Sequence, residues 1–338
     1  MKKTILILAT AALGLNINAQ KVALHSGGNV SIFNGTTALV DAYNQSVNGD
    51  TIYLPGGGFT APTTINKKLT IYGAGHYVDS TQATGKTFWN GALNFGVDAD
   101  QFTIEGVEIT SGVTFPYNGV VDNVTIAFCK INGTISITGT FATPSNNLLL
   151  RNNVIVQNID FENVQNALVA NNIIGQGVYR SKGNSFYNNV FINRSPSGYY
   201  EHFAGCDNNL IYNNVFYTVA SYGESGNNND FRNNLFTTAT PGLGTNPTSI
   251  ANYFSVTQSD IFVNVSSTVF SYTADYHLQS PAMYTGTDDS QIGIYGGVYY
   301  PYKEGAVPSN PHIQLQNIAP STTNGLLNVQ IKAAAQEN

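Results

Sequence analysis

The feature that most constrains this chain is a six-residue motif that recurs five times between residues 150 and 236. Each copy has an apolar residue, a variable residue, two asparagines and two apolar residues, and successive first asparagines are 19, 17, 25 and 20 residues apart. A unit of this length cannot bury its own apolar side chains, so successive units must stack and share a core. This period, with several short strands per repeat, predicts a parallel β-helix. The five pairs are Asn152 and Asn153, Asn171 and Asn172, Asn188 and Asn189, Asn213 and Asn214, and Asn233 and Asn234.

A second turn-forming position lies five residues before each pair. It holds asparagine in four copies and glycine in one: Asn147, Asn166, Gly183, Asn208 and Asn228. Asparagine tolerates the left-handed backbone that a tight corner needs. Equivalent asparagines on stacked strands can also hydrogen-bond along the stack. We therefore interpret the pairs as a structural asparagine ladder at the corners of the helix.

The composition favours an all-β fold. The chain has 42 asparagines and 33 glycines among 338 residues, and only 10% of its residues are charged. Strong helix formers are few, which argues against a helical bundle. β-branched and aromatic runs at 51–54 and 69–72 predict earlier strands, and residues 37–43 predict one helix that caps the open end of the stack. At ~22 residues per coil, where a coil is one revolution of the chain, residues 48–297 should form about eleven coils.

The N-terminus predicts export. Lys2 and Lys3 precede an apolar run over residues 5–15, and Ala19 offers a small residue for cleavage. This pattern is typical of a signal peptide over residues 1–19. The apolar run is too short for a transmembrane helix, and no later segment is long and apolar enough to be one. We expect a secreted protein, extracellular or on the outer cell surface, with the periplasm as the alternative.

Several partner classes are disfavoured. A net charge of −6 without an extended basic run argues against a nucleic-acid partner.

Cys129 and Cys206 would lie three or four coils apart, about 15 Å, which is too far for a disulfide. Both are expected to be small buried or turn residues. No metal-ligand spacing or cofactor motif occurs, so neither a metal nor a cofactor is expected.

Three parts of the sequence together point to a known superfamily. They are Gly-Asp-Thr-Ile-Tyr-Leu-Pro at 49–55 with Leu-Thr-Ile-Tyr-Gly at 69–73, the asparagine pairs, and residues 276–297 with Ile-Gly-Ile-Tyr-Gly-Gly at their end. They resemble the opening, middle and closing coils of secreted right-handed parallel β-helix proteins of the pectate-lyase-like superfamily. The resemblance implies a β-helix domain over residues 20–297 with an N-terminal cap, and a C-terminal extension over 298–338. It also implies binding or cleavage of polysaccharide along the side of the helix.

Binding is better supported than catalysis. Glycoside hydrolysis needs paired carboxyl groups on either side of the scissile bond, and the single acidic doublet, Asp288 and Asp289, falls in an expected turn. The C-terminal tail resembles that of non-catalytic β-helix companions of bacterial cell-surface adhesins. We therefore expect a non-catalytic binding or structural accessory whose partner is a cell-surface protein or an extracellular polysaccharide. The alternative is a polysaccharide lyase or glycoside hydrolase.

One candidate site is a loop. The interval between the third and fourth asparagine pairs is about five residues longer than the others, and extra length in a solenoid emerges as a loop. This loop contains Tyr199, Tyr200, Glu201 and His202. The tyrosines could stack on sugar rings, and Glu201 and His202 are the weak candidates for acid–base catalysis. A Tyr-rich surface loop without a ligand is the alternative.

A second candidate is the column that precedes the asparagine pairs. Period-2 alternation points Arg151, Tyr187, Tyr212 and Arg232 outward, where they would form a flat strip for a glycan or a protein.

The C-terminal tail is a third candidate for the contact with a partner. Its prolines predict an extended segment and residues 326–332 predict a strand, so residues 301–332 should cap the helix or contact a partner.

Overall fold

The structure, a computed structural model, describes residues 20–192, 202–217 and 226–335. This part of the chain is almost all β and winds into a parallel β-helix, which confirms the fold class expected from the repeat. Most coils contribute one short strand to each of three sheets, here called A, B and C. Backbone hydrogen bonds link consecutive coils, since neighbours in each sheet are parallel strands from successive repeats.

Sheet A is the longest sheet and begins with an antiparallel hairpin of β1 (Lys21–Ser26) and β2 (Asn29–Asn34). Its parallel strands are Thr51–Tyr53, Thr70–Tyr72, Thr103–Glu105, Thr125–Ala127, Leu149–Arg151, Leu168–Ala170, Ser185–Tyr187, Leu210–Tyr212, Asp230–Arg232 and Thr248–Ile250.

Sheets B and C follow sheet A in each coil. Sheet B consists of Gly57–Thr60, Thr87–Asn90, Glu108–Ile109, Lys130–Ile131, Val154–Ile155, Ile173–Ile174, Val190–Phe191, Val215–Phe216 and Leu235–Phe236. Sheet C consists of Leu93–Asn94, Val113–Thr114, Ile135–Ser136, Ile159–Asp160, Val178–Tyr179 and Phe203–Ala204. A further parallel pair joins Ser145–Asn146 to Val164–Gln165.

The remaining elements lie outside the coils. Helix α1 (Ala38–Gln45) follows β2 and buries Ala38, Leu39, Ala42 and Tyr43 against the first coils, as the sequence predicts for a cap. Two antiparallel hairpins follow the last coil: Phe262–Asn264 with Asp275–Leu278, and His312–Ile318 with Val329–Ala334. Short 3-10 helices occupy Val78–Ser80, Gln258–Asp260, Pro281–Met283 and Lys303–Gly305.

The number of coils is lower than expected. Ten parallel strands in sheet A delimit nine coils within the described residues, whereas the sequence suggested about eleven. The difference arises because the chain leaves the coil after Tyr253, which makes the last bridge to sheet B. Residues 276–297, which resemble a closing coil, instead pack along the outside of the helix.

The two asparagines of each pair have different roles. The first has a left-handed backbone in every copy, with φ between 51° and 60° from Asn152 to Asn233, and so does the position five residues earlier. The second asparagine points into the helix. In each copy Nδ2 of this asparagine donates to Oδ1 of the equivalent asparagine in the next coil. All five of these residues are almost fully buried: Asn153, Asn172, Asn189, Asn214 and Asn234. A second ladder, formed by Asn184, Asn209 and Asn229, lies at another corner.

The interior is filled by the inward-facing residues of all three sheets. Sheet A supplies one aliphatic or aromatic residue per strand, such as Ile104, Leu150 and Phe186. Sheet B supplies a stack of phenylalanines, in which Phe191 and Phe216 lie 4.8 Å apart and Phe216 and Phe236 lie 4.6 Å apart between ring centres. Burial of this continuous apolar column is the main force that holds the coils together.

A second apolar layer covers the outside of sheet B. Both residues after each asparagine pair are apolar, and because a strand alternates its faces, one of them must point outward. Val154, Ile173, Val190, Val215 and Leu235 take this outward position and are nonetheless buried. The segment after the last coil covers most of this column with Ile261, Phe262, Tyr276, Leu278, Ile292 and Ile294.

Residues 284–308 then run back along one corner of the helix as a strap. The left-handed asparagines hold it: Asn233 Nδ2 donates to Thr285 O over 2.9 Å, and Asn171 Nδ2 donates to Ile294 O and Gly296 O over 2.8 Å each. Further on, Ala306 O accepts from the backbone N–H of His76 over 3.0 Å. The strap therefore passes from the last coils to the first.

Both cysteines are buried, and they are not joined to each other by a disulfide, as expected from their separation. Burial raises the pKa of the Cys129 thiol to about 12, so it stays protonated near neutral pH.

No helix in the described ranges is long and apolar enough to cross a membrane.

Candidate functional site

The sequence-predicted column forms a polar and aromatic cluster on the outer face of sheet A. Tyr187 and Tyr212 are in edge-to-face contact with ring centres 5.3 Å apart. The Tyr212 hydroxyl donates to Asp230 Oδ2 over 2.6 Å, and Arg232 donates to both oxygens of the same carboxylate over 2.8 and 2.9 Å. Burial, followed by the bond to Asp230, raises the pKa of Tyr212 to about 12. Tyr212 therefore stays protonated near neutral pH, and the ion pair of Asp230 with Arg232 lies beside its hydroxyl.

Arg151 belongs to the same column but has a different environment. Its guanidinium lies 3.5 Å from Glu105 and faces the rings of Phe128 and Tyr299 at 4.8 and 5.7 Å. Tyr299 belongs to the strap, and Ser309, the residue directly after the strap, donates from its hydroxyl to Glu105 Oε2 over 2.6 Å. Arg151 therefore fixes the strap to sheet A and does not continue the half-buried strip of Tyr187 and Tyr212.

Of the candidate residues in the predicted loop, only His202 lies within the described residues. Tyr199, Tyr200 and Glu201 lie outside the described residues. His202 packs its ring against Phe191 and Phe216, with centres 5.9 and 4.7 Å apart, so it lies at the edge of the phenylalanine stack.

A groove that the sequence did not predict lies between the strap and the hairpin of Phe262–Asn264 with Asp275–Leu278, here called the outer hairpin. Its volume is about 430 Å³, and it is lined by residues 272–275 and His277 on one side and by Tyr295 and residues 300–304 on the other. Four tyrosine rings form much of its wall: Tyr272, Tyr295, Tyr300 and Tyr302. Two carboxyl groups, Asp275 and Glu304, reach the same groove.

Glu304 is the most unusual group in this groove. Its side chain is buried, with the residue only 4% exposed, and Oε1 accepts a hydrogen bond from the Tyr295 hydroxyl over 2.8 Å. Oε2 has no hydrogen-bond partner among the described residues. Burial raises the pKa of Glu304 above its ordinary value despite the bond from Tyr295. A buried carboxyl oxygen without a partner is costly to the fold, which makes Glu304 a candidate functional group.

The backbone at Glu304 is strained. Lys303, Glu304 and Gly305 have φ values of 48°, 53° and 80°, so two consecutive non-glycine residues are left-handed. Gly305 is required where it is, because a Cβ there would lie 1.9 Å from Asn152 O. Strain of this kind persists only when the surroundings impose it, and it is concentrated at functional sites.

Asp275 is held in place by its neighbour. Asp275 Oδ1 lies 2.6 Å from His277 Nδ1 and also accepts from the His277 backbone N–H over 3.0 Å. Burial would raise the pKa of Asp275, but these contacts outweigh it and the pKa lies below its ordinary value. The His277 ring stacks on Tyr295 with centres 3.7 Å apart, which links Asp275 to the residue that binds Glu304.

The groove therefore contains two carboxyl groups whose pKa values move in opposite directions, next to several tyrosine rings. A raised pKa suits a proton donor and a lowered pKa suits a base, so the pair has the properties of an acid and a base in one site. The rings offer flat apolar faces with polar edges. Within the described ranges, no group of three or more His, Cys, Asp or Glu side chains is arranged to hold a metal ion.

Sequence reasoning missed the groove because its parts carry no periodic signal. Asp275 and His277 fall in a segment that resembled a closing coil, and Glu304 falls in the proline-containing tail. The only visible cue was the tyrosine-rich stretch at 299–302, which the sequence presents as part of an extended wrap.

Comparison with known proteins adds no further constraint. No protein-family model matches the chain, and no curated protein has significant sequence similarity to it. The groove and the outer face of sheet A are therefore the basis for assigning a function.

Proposed function

We propose that this is a secreted β-helix protein that acts at the cell surface as a non-catalytic accessory and binds an extracellular glycan. The observation that carries the proposal is Glu304, a buried carboxyl group with an unpartnered oxygen at the base of a tyrosine-lined groove. Sugars present apolar ring faces and hydroxyl groups. Tyrosine rings can stack on the former, and a carboxyl oxygen can accept from the latter.

The outer face of sheet A supports the same proposal. Tyr187 and Tyr212 form a half-buried aromatic strip, and the Asp230–Arg232 pair beside it holds Tyr212 in one orientation. Rings held in place lose little conformational entropy when a ligand stacks on them.

Binding can be tested by calorimetry on the exported protein with soluble oligosaccharides from bacterial and host surfaces. Glu304→Gln and Tyr300→Ala should each weaken binding about tenfold or more, which corresponds to about 1.4 kcal/mol. Tyr117→Ala is the matched control, since Tyr117 is 70% exposed and lies outside the groove. Equal binding by the Glu304, Tyr300 and Tyr117 variants would exclude the groove as the glycan site.

Hydrolysis is the second candidate function, and the pairing of Asp275 with Glu304 favours it. Glu304 would protonate the leaving oxygen and Asp275 would act as base or nucleophile. Under this alternative the protein releases new reducing ends from a bound glycan, and both Glu304→Gln and Asp275→Asn abolish the release. If those variants bind less but no product ever forms, binding alone is the function.

A protein partner is the alternative ligand for an adhesin accessory. Affinity capture from the native cell envelope, followed by mass spectrometry, would identify such a partner. N-terminal sequencing of the exported protein would test cleavage after Ala19 and with it the proposed location.

A further inference from the structure

Strand β2 forms the N-terminal edge of sheet A. It pairs in antiparallel register with β1 along all six of its residues, and in the described part of the chain it pairs with no other strand. Its outer row of backbone N–H and C=O groups is therefore open to another strand. Proteins normally protect such an edge with lysine, proline, a bulge or a covering element.

None of the usual protections occurs in β2. Its sequence, Asn-Val-Ser-Ile-Phe-Asn, has no charge, proline or glycine. Val30 and Ile32 are each 56% exposed on its outward face, while Phe33 packs partly against the core. Helix α1 packs against β1 and β2, and no strand of the described ranges pairs with the outer edge of β2.

The outward face continues as an apolar and aromatic patch. Ile32 is in register with Ala23, which is in register with Tyr53 and then Tyr72. Tyr53 and Tyr72 stack with centres 5.6 Å apart. An edge strand with this composition, next to such a patch, has the properties of a protein interface.

We propose that β2 pairs with β2 of a second copy of this chain, in antiparallel orientation about a two-fold axis that passes midway between Ser31 and the partner subunit's Ser31. Residues directly opposite each other in an antiparallel pair share a face, so the axis must relate residues of the same face. With the axis at this position, Val30 lies opposite the partner subunit's Ile32, and Ser31 lies opposite the partner subunit's Ser31. Apolar residues then meet apolar residues in both halves.

This arrangement favours a second copy over an unrelated strand. The β2 sequence places apolar residues symmetrically about Ser31 on the outward face, and it contains no like charges that would oppose each other across the axis. The pairing would join the two copies of sheet A into one continuous sheet and remove the open edge at the end of each helix.

Oligomeric mass tests the interface directly. Light scattering of the exported full chain across a dilution series should give a dimer. Ile32→Lys should give a monomer with an unchanged far-UV spectrum, because lysine on an edge strand opposes strand pairing and the lysines of the two copies would repel each other across the axis. Val97→Lys is the matched control, since Val97 is also 56% exposed but lies outside β2, and it should remain a dimer.

Cross-linking tests the register. Opposed residues in an antiparallel pair lie close enough for a disulfide, and the native Cys129 and Cys206 are fully buried and will not compete. Under mild oxidation Ser31→Cys should form a covalent dimer, and Asn34→Cys should not. A monomer at every concentration, a dimer unaffected by Ile32→Lys, or cross-linking by Asn34→Cys without Ser31→Cys would overturn the proposal.

Discussion

The side chain of Asn189 donates from Nδ2 to Oδ1 of Asn214 over 3.0 Å, and the backbone N–H of Asn189 donates to the same oxygen over 2.8 Å. Asn189 Nδ2 also donates to Val169 O over 2.8 Å. One side chain thus connects three consecutive coils at a fully buried corner. The same pattern repeats along the ladder, so each asparagine satisfies backbone groups that no strand partner reaches.

Loss of one ladder member should destabilise the protein. Asn214→Leu and Asn189→Leu should each lower the free energy of unfolding by about 1–3 kcal/mol, because each leaves buried backbone groups unpaired. Denaturant titration measures this change. Asn264→Leu, at an exposed asparagine outside the coils, should change it by less than about 0.5 kcal/mol. If the Asn189 and Asn214 variants also unfold as the wild type does, the ladder has no stabilising role.

The left-handed asparagines should stabilise the strap independently of the coil. Asn171→Gly keeps the positive φ but removes the two bonds to Ile294 O and Gly296 O, so proteolysis within residues 284–308 should become faster. Asn147→Gly is the control, because Asn147 has the same backbone conformation but bonds only at the exposed surface. Cleavage at equal rates in both variants would mean that Asn171 does not hold the strap.

Stability should fall in acid because of two buried groups near the outer face of sheet B. Burial lowers the pKa of His76 to about 3. Burial acts to raise the pKa of Glu108, but the bonds from Lys86 and Lys130, at 2.6 and 2.9 Å, outweigh it and lower the pKa to about 2. Both groups bind protons more readily in the unfolded chain, so the folded state loses stability as pH falls.

The loss of stability due to His76 begins near pH 6.5 and continues to about pH 3. The loss of stability due to Glu108 runs from about pH 4.5 to about pH 2. We expect the free energy of unfolding to fall by on the order of 3–5 kcal/mol between pH 7 and pH 3. Denaturant titrations at several pH values measure it. His76→Gln should flatten the decline between pH 6.5 and pH 4.5. An equally steep decline in this variant would show that other groups cause it.

Two truncations should distinguish the contribution of the strap to stability from that of the C-terminal hairpin, His312–Ile318 with Val329–Ala334. Ending the chain after Gly297 removes Ala306 and Val307, which are buried against the first coils, so the melting temperature should fall by several degrees. Ending it after Pro311 removes the hairpin, whose main bonds to the helix come from His312 and Gln314, and should change the melting temperature little. Equal melting of both truncated proteins would contradict the structural role of the strap.

Much of the fold could be predicted from the sequence because its cause is local and repeated. A left-handed corner needs asparagine or glycine, and Asn171 and Gly183 occupy such corners as predicted. The inward apolar positions follow from alternation, and stacking of equal repeats leaves the parallel helix as the arrangement that buries them all. The same alternation also indicates an external cover, which the sequence analysis did not predict. Two consecutive apolar residues follow each asparagine pair, so one of them must point outward from sheet B and be covered.

The tertiary structure alone decided what provides that cover and where the candidate groove lies. Residues 253–308 have no repeat, so their path depends on packing between segments that are far apart in sequence, such as Ile294 against Asn171. Asp275 and Glu304 meet in one groove only because the strap turns back along the outer hairpin. The sequence by itself thus determined the coil, through local backbone preference and periodicity, whereas long-range packing of an irregular segment determined the candidate site.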